Sequence, residues 1–186
     1  LALSNIPGFF AQGGVKSSGP VINYWPALVD SKFIKEKVNI DDKQIEVLPT
    51  SQLEFEESYY QKKPIKIEKI DIKNEKEIYF GDIYGTRSGD KGGCANLGIW
   101  AKNNQTFSFL YDFLTVEQLK KLLPDLKDFK IERYELSNIY SLNFYIHEIL
   151  QDGVSSNDRK DSQAKSLGEY LRAKKIRVPE AIIGDI

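Results

Sequence analysis

GTRSGDKGGCANLG, residues 85–98, is the stretch of sequence around which the fold can be predicted. Five of its fourteen residues are glycine, and a serine, an asparagine and an Arg-Asp-Lys set stand among them. Glycine serves where the backbone turns through positive φ or where another group approaches closely. Freed N–H groups can then form a concave nest for an anion, with Arg87 and Lys91 adding positive charge. The stretch predicts an anion-binding loop. The alternative is a tight connection between two strands whose charges are merely solvated.

The residues on both sides of this loop have the pattern of strands. Residues 78–84 place Ile78, Phe80 and Tyr84 on one face, which predicts a buried strand leading directly into the loop. Residues 95–101 predict a second strand, which ends at the polar turn 102–104.

Further elements follow downstream. Residues 107–114 fit a strand or a helix, and Thr115 with Gln118 predicts a capped helix over 115–123 that ends at Pro124. The remaining expected elements are a strand at 129–136, a helix at 142–150, a helix capped by Asp161 with Ala164, Leu167 and Leu171 inside, and an edge strand at 176–179. This order fits an α+β sandwich, with helices on one face of a mainly antiparallel sheet.

The first part of the chain has a different character. Residues 1–35 combine many glycines and prolines with apolar side chains, which predicts an extended arm that docks on another surface. Residues 36–76 are rich in Lys and Glu and predict a charged linker with edge strands, including a hairpin at 40–48 that turns at Asp41-Asp42. The compact unit is expected at 77–180.

Composition excludes several classes of function. A net charge of −1 and a pI near 6.0 argue against nucleic-acid binding. No apolar run reaches the roughly 20 residues that a membrane span needs, so a soluble intracellular protein of the cytoplasm or mitochondrial matrix is expected. One cysteine excludes an internal disulfide, and one histidine excludes a zinc site built from several His or Cys ligands. Neither an ATP nor an NAD motif is present, so no cofactor and no metal is predicted.

Candidates for chemistry centre on His147, the single imidazole. On the predicted helix Asn143 lies four residues earlier and therefore on the same face. Asp90 and Asp161 are the carboxylates that can act as bases or orient the imidazole. The alternative for His147 is a structural histidine bonded to a backbone carbonyl. Ser88 and Cys94 are weaker candidates as nucleophiles, because neither has a local base or a nucleophile elbow.

Several blocks of sequence resemble, in the same order, the C-terminal part of the acyclic terpene utilisation AtuA family. The blocks are Ile6-Pro7-Gly8-Phe9, residues 24–29, residues 86–92 with 95–98, Leu142-Asn143-Phe144 with His147, and residues 165–168. The resemblance implies that residues 77–180 form a ferredoxin-like domain. It also implies that residues 1–35 are the closing segment of a larger α/β domain. That domain is then missing or carried by a separate chain, in a homo- or hetero-oligomer. The chain begins at Leu1 and contains no methionine, so a fragment, a processed product or a separate subunit is expected.

The same resemblance implies a role in the catabolism of acyclic terpenoids or related carboxylates through CoA thioesters. The expected catalytic residues are His147, Asp90 and Asp161. The residues expected to bind the anionic small molecule are Arg87, Ser88, Gly89, Lys91, Gly92, Asn96, Asn143, Arg159 and Lys165. The turn at 152–156 has fewer glycines than the family pattern, although Arg159, Asp161 and Lys165 keep its charges. The alternative function is a non-catalytic structural or interaction subunit of a larger assembly.

Overall fold

The computed structural model describes residues 19–20, 27–47, 67, 70 and 74–184. The chain divides into one unit of residues 1–24 and 64–186 and a second of residues 25–63. Most of the predicted arm and most of the strand-like pattern at 65–72 lie outside the described residues.

The described part of the second unit is a short helical turn followed by a hairpin. Asp30 caps the 3-10 turn Ser31–Phe33 by accepting a hydrogen bond from the backbone N–H of Lys32. Strands β1 (Glu36–Ile40) and β2 (Lys43–Val47) then pair antiparallel around Asp41-Asp42, the residues that the sequence predicts for the turn.

The other unit is built on an antiparallel sheet of four strands. They are β4 (Gly85–Lys91), β5 (Cys94–Trp100), β6 (Ile131–Leu136) and β7 (Ser141–Ile146). Their order in the sheet is β4-β5-β7-β6. A separate two-stranded sheet joins β3 (Glu75–Tyr79) to β8 (Lys175–Pro179), also antiparallel.

The described residues of this unit also form four α-helices: α1 (Phe80–Ile83), α2 (Asn104–Phe113), α3 (Val116–Leu122) and α4 (Leu167–Arg172). The side chains of Asn103 and Thr115 cap α2 and α3 by accepting from the N–H groups of Thr106 and Gln118. Residues 107–114, which fit either a strand or a helix in the sequence, are therefore mostly helical.

Alternate residues of the two central strands form the core. Leu97 and Ile99 of β5 and Leu142, Phe144 and Ile146 of β7 are fully buried, and helix residues join them in one apolar cluster. We call this side of the sheet the inner face and the opposite side the outer face. The fold is α+β with a mainly antiparallel sheet, as the sequence predicts.

The strand predicted at 78–84 is wrong beyond Tyr79. Residues 80–83 form one helical turn, which begins where the Asp82 carboxylate accepts a hydrogen bond from the Tyr79 N–H at 2.9 Å. Tyr84 follows, and its hydroxyl donates to the Thr106 carbonyl. Burial raises the pKa of Tyr84 far above its ordinary value. Apolar spacing alone did not reveal this turn, because Phe80, Ile83 and Tyr84 are buried in either conformation.

The helix predicted at 142–150 is also wrong, because residues 141–146 form β7. Leu142 and Ile146 are four residues apart and fit a helix, but Phe144 between them is equally buried, which is the period of a strand. Asn143 and His147 are therefore about 13 Å apart along an extended chain rather than stacked on one helical face.

Residues 85–98 form a β-hairpin. Strands β4 and β5 are in register from Gly85↔Trp100 to Lys91↔Cys94, so the turn is only Gly92-Gly93. Gly92 has a φ of 61°, and a Cβ on Gly93 would lie 2.1 Å from the carbonyl oxygen of Gln151. The two glycines thus allow a tight turn and close packing. The alternative reading, a connection between two strands, describes this backbone.

The helix capped by Asp161 begins later than predicted. α4 starts at Leu167, and Ala164, which was expected on its inner face, has a positive φ of 51° in the preceding turn. Asp161 holds that turn, since its carboxylate accepts from the N–H groups of Lys165 and Ser166.

Replacing Gly93 by Ala tests the close approach of the hairpin to residue 151. We expect Gly93→Ala to lower the free energy of unfolding by about 1–3 kcal/mol, because the new methyl group meets backbone that cannot move freely. Gly98→Ala is the matched control, since a Cβ there meets its nearest atom at an ordinary 3.6 Å. Urea unfolding of the full chain measures both, and equal stabilities of the two variants would contradict the packing.

Candidate functional site

The predicted site residues divide between the two faces of the sheet. Arg87 pairs in register with Gly98, which pairs with Asn143, so that both side chains lie on the outer face. Strand alternation also places Lys91, Asn96 and His147 there. The Asn96 amide donates to the Asn143 side-chain oxygen at 3.2 Å. Ser88 and Asp90 lie in register with Leu97 and Ala95 and so belong to the inner face.

Ser88 holds the start of α4 against β4. Its hydroxyl is buried and accepts a hydrogen bond from the N–H of Gly168 at 2.9 Å. A Cβ on Gly168 would lie 2.8 Å from the Thr86 hydroxyl oxygen, so a side chain there would push the two segments apart. Ser88 is therefore committed to a structural bond, and this contact brings Lys165 to the edge of β4.

A small cleft lies at this junction. It has a volume of about 150 Å³ and is lined by Thr86, Arg87, Ser88, Lys165, Gly168 and Glu169. We call it the Arg87 cleft. The Lys165 ammonium is 3.8 Å from the position of a Cβ on Gly89, so it lies close to the strand that carries Arg87.

The charges of the Arg87 cleft are unevenly paired. Arg87 and Lys165 are exposed, and among the described residues neither has a carboxylate within ion-pair distance. Glu169 is paired instead with Arg172, at 3.4 Å. Two cations of the same small cleft thus remain available for an anionic group.

A second cleft adjoins the first through residues 165–168. Its volume is about 350 Å³, and Arg159, Lys160, Asp161, Ser166 and Leu167 are among its lining residues. The Asp161 carboxylate accepts three hydrogen bonds, from the N–H groups of Lys165 and Ser166 and from the Ser166 hydroxyl. Asp161 is therefore occupied in positioning the segment that carries Lys165.

His147 has a carboxylate partner that the sequence did not suggest. Its Nε2 lies 3.0 Å from the Glu132 carboxylate, which belongs to β6. Neither Asp90 nor Asp161 is hydrogen-bonded to the imidazole in the described part of the chain. Glu132 becomes a candidate partner only if residues 141–146 are predicted as a strand, because β6 then pairs with β7 and brings Glu132 near His147.

The Glu132 carboxylate is strongly stabilised in its charged form. The Tyr134 hydroxyl donates to it, and the Lys130 ammonium and His147 also contact it. These hydrogen bonds, that of Tyr134 first, lower the pKa of Glu132 from 4.5 to about 2. The His147 imidazole therefore faces a carboxylate that is charged at neutral pH, which is the arrangement that orients a catalytic or a structural histidine alike.

Cys94 and Tyr145 lie beside this pair on the outer face. The Cys94 sulfur accepts from the N–H of Glu148 at 3.5 Å, and the Tyr145 and His147 rings meet edge to face at 4.9 Å. A hydrogen bond to Cys94 raises the pKa of Tyr145. In the described part of the chain, no basic side chain is hydrogen-bonded to this thiol.

The Arg87 cleft and His147 are separated within the sheet. Arg87 and Asn143 are two strands apart, and His147 lies four residues beyond Asn143, which puts the Cα atoms of Arg87 and His147 about 16 Å apart. The two side chains therefore extend from well-separated points of the outer face. Lys91 and the Gly92 turn lie at a third position, where the Lys91 ammonium donates to the Asp90 carbonyl.

Two further features are absent from the described residues. No three His, Cys, Asp or Glu side chains in that part of the chain come close enough to hold a metal ion. Of the helices that the structure describes, none combines the length and the apolar character needed to cross a bilayer.

Comparison with protein families gives one match. The model of the AtuA ferredoxin-like domain matches residues 78–177, more than half of the chain. The chain belongs to this family. No curated protein and no solved structure gave a match.

The AtuA ferredoxin-like domain brings three of the resembling sequence blocks together. Residues 86–92 with 95–98 form β4 and β5, and residues 142–144 lie on the neighbouring β7. Residues 165–168 meet β4 through the Ser88–Gly168 hydrogen bond. Sequence reasoning missed Gly168 as a contact residue, because nothing in its local pattern indicates that it touches a strand eighty residues away.

Removing the Tyr134 hydroxyl tests the electrostatics around His147. We expect Tyr134→Phe to raise the pKa of Glu132 from about 2 toward 4.5, because the largest stabilising hydrogen bond is lost. A side-chain carboxyl NMR titration measures this pKa, with Tyr145→Phe as the control on the same face.

The same variant changes the pH dependence of stability. A depressed carboxyl pKa adds stability above about pH 4.5, and this stability is lost as the pH falls toward 2. Between these values the unfolding midpoint of Tyr134→Phe should fall less steeply than that of the wild type. An unchanged Glu132 titration would show that Tyr134 does not set the pKa.

Proposed function

We propose that this AtuA ferredoxin-like domain binds the anionic part of a carboxylate or CoA-thioester substrate at the Arg87 cleft. The chain is then one part of an AtuA-like protein of acyclic terpenoid or related catabolism. The observation that carries the proposal is the pair of exposed cations, Arg87 and Lys165, that line one cleft without carboxylate partners among the described residues. Charge-assisted hydrogen bonds from Arg and Lys are the usual means of holding such groups.

The second cleft is lined by residues adjacent in the chain to those of the Arg87 cleft. Arg159 and Lys160 line it, and Ser166 and Leu167 connect it to Gly168 in the Arg87 cleft. A CoA thioester carries a diphosphate and a further phosphate along an extended molecule. Its several phosphate charges can meet both Arg87 and Lys165, which a small carboxylate with a single charge does less well. The neighbouring cleft adds no net charge, because the Asp125 and Asp161 carboxylates line it together with Arg159 and Lys160.

His147 remains the candidate for proton transfer, with Glu132 as the carboxylate that orients it and Asn143 as a polar group on the same face. Its distance from the Arg87 cleft requires a substrate long enough to reach across the sheet, which a CoA thioester is and a short carboxylate is not. Asp90 is a less favourable partner, because it lies on the inner face. Asp161 is a positioning residue for Lys165 in this proposal.

A second candidate function is an interaction subunit in a larger assembly, with a large AtuA-type domain or another chain as partner. The observation that favours it is a set of exposed large apolar side chains on β5, on β6 and in the turn after β6: Trp100, Tyr134, Leu136 and Ile139. Such residues are common where a protein surface is covered in a complex. Sedimentation of the full chain across a concentration series tests for self-association.

Charge-removing variants of the cleft test the first proposal. We expect Arg87→Gln and Lys165→Gln each to weaken acetyl-CoA binding about tenfold, because each removes one charge-assisted contact. Titration calorimetry at constant ionic strength measures the affinity. Lys121→Gln is the matched control, since it removes the same charge from an exposed position on α3.

Two outcomes contradict the proposal. If both cleft variants bind acetyl-CoA as tightly as Lys121→Gln does, the Arg87 cleft is not the anion site. Charge interactions are strongest at low salt, so a wild-type chain that binds no acetyl-CoA under this condition would show that CoA thioesters are not its ligands.

A further inference from the structure

An apolar cavity in the described part of the chain lies apart from the Arg87 cleft and from His147. It has a volume of about 520 Å³ and lies among α2, α3, β3 and β8, with residue 70 also in its lining. It shares no lining residue with the Arg87 cleft or with its neighbour. A volume of this size is in the range of sites that take small organic molecules.

The wall of this cavity is formed by apolar side chains from several elements. Phe109 and Phe113 stack one helical turn apart, with ring centroids at 5.2 Å and planes at 14°. Leu122 of α3 and Ile176 of β8 complete the wall with Ile70. Phe109, Phe113 and Leu122 are only partly buried although they pack against the core, so their exposed surface faces this space.

The charged residues of the lining balance one another. Glu75 and Asp112 supply two carboxylates, and Lys175 and Arg177 supply two cations. The Lys175 ammonium is already held by Glu77 at 2.9 Å, and Arg177 lies directly across the strand pair from that same Glu77. No excess positive charge is left for an anionic ligand, in contrast to the Arg87 cleft.

One neutral polar group is available at the cavity. Gln118 lines it. The backbone N–H of Gln118 is used in the cap of α3, but its side-chain amide has no hydrogen-bond partner among the described residues. A carboxamide can donate to or accept from a hydroxyl or a carbonyl.

We propose that this cavity binds an uncharged aliphatic molecule with one hydroxyl or carbonyl group, the chain lying against Phe109, Phe113 and Leu122 and the polar end near Gln118. The proposal goes beyond the anion site, and neither depends on the other. An aliphatic chain recovers the free energy of covering exposed aromatic surface, while a carboxylate of the same length would have to lose hydration beside Glu75 and Asp112.

The test uses 1-octanol and octanoate as probes of equal chain length on the full chain. We expect 1-octanol to bind about tenfold more tightly than octanoate, because only the latter carries a charge into the cavity. Amide chemical shifts in an NMR titration measure both affinities, and the shifts should concentrate in α2, α3 and β8. Equal or tighter binding of octanoate, or shifts located elsewhere, would overturn the proposal.

A cavity-filling variant provides the second arm. Leu122→Trp should weaken 1-octanol binding about tenfold, since an indole occupies the space of the ligand. The matched control is Leu136→Trp, which places the same side chain at an exposed position of strand β6. Equal binding by the two variants refutes the site. If Leu122→Trp does not fold, the positions of the amide shift changes in the wild-type titration still show whether 1-octanol binds at this cavity.

Discussion

Burial of the inner face of β5 and β7 is the constraint on which the arrangement of the domain depends. Leu97, Ile99, Leu142, Phe144 and Ile146 have no exposed surface, so the two strands can neither slip by one residue nor turn over without exposing this face. The register Gly98↔Asn143 and the placement of polar side chains on the outer face follow from it. The position of His147 is thus fixed by the apolar residues that precede it.

The edge of the sheet depends on this register in turn. Among the described strands β4 pairs only with β5, and it places Thr86 and Ser88 where α4 packs. Gly168 lets the backbone of α4 come within hydrogen-bond distance of Ser88, and the same contact sets the position of Lys165. A buried neutral hydrogen bond therefore brings together Arg87 and Lys165, the two cations of the Arg87 cleft that have no carboxylate partner among the described residues.

The sequence predicted the α+β class and most strands, because alternation of apolar residues reports burial on one face. It failed at residues 80–83 and 142–150, where the same apolar spacing fits both a helix and a strand. The sequence indicates that Gly92 and Gly93 are needed for a turn or a close approach. The group that approaches Gly93 is the Gln151 carbonyl, which local sequence cannot reveal because it lies far along the chain. For the same reason Glu132 and Gly168 could not be found from sequence, since each acts through a partner on another element.

The domain has two kinds of potential ligand site that differ in their electrostatics. At the Arg87 cleft, the only nearby carboxylate among the lining residues is drawn away by Arg172, so the cations remain unbalanced. At the cavity between α2 and α3, Glu77 holds Lys175 and faces Arg177, and the lining stays balanced. A molecule with an anionic group and an aliphatic part has matching surfaces at both sites, but the two parts need not belong to one ligand. The lack of a shared lining residue makes separate occupation the simpler arrangement.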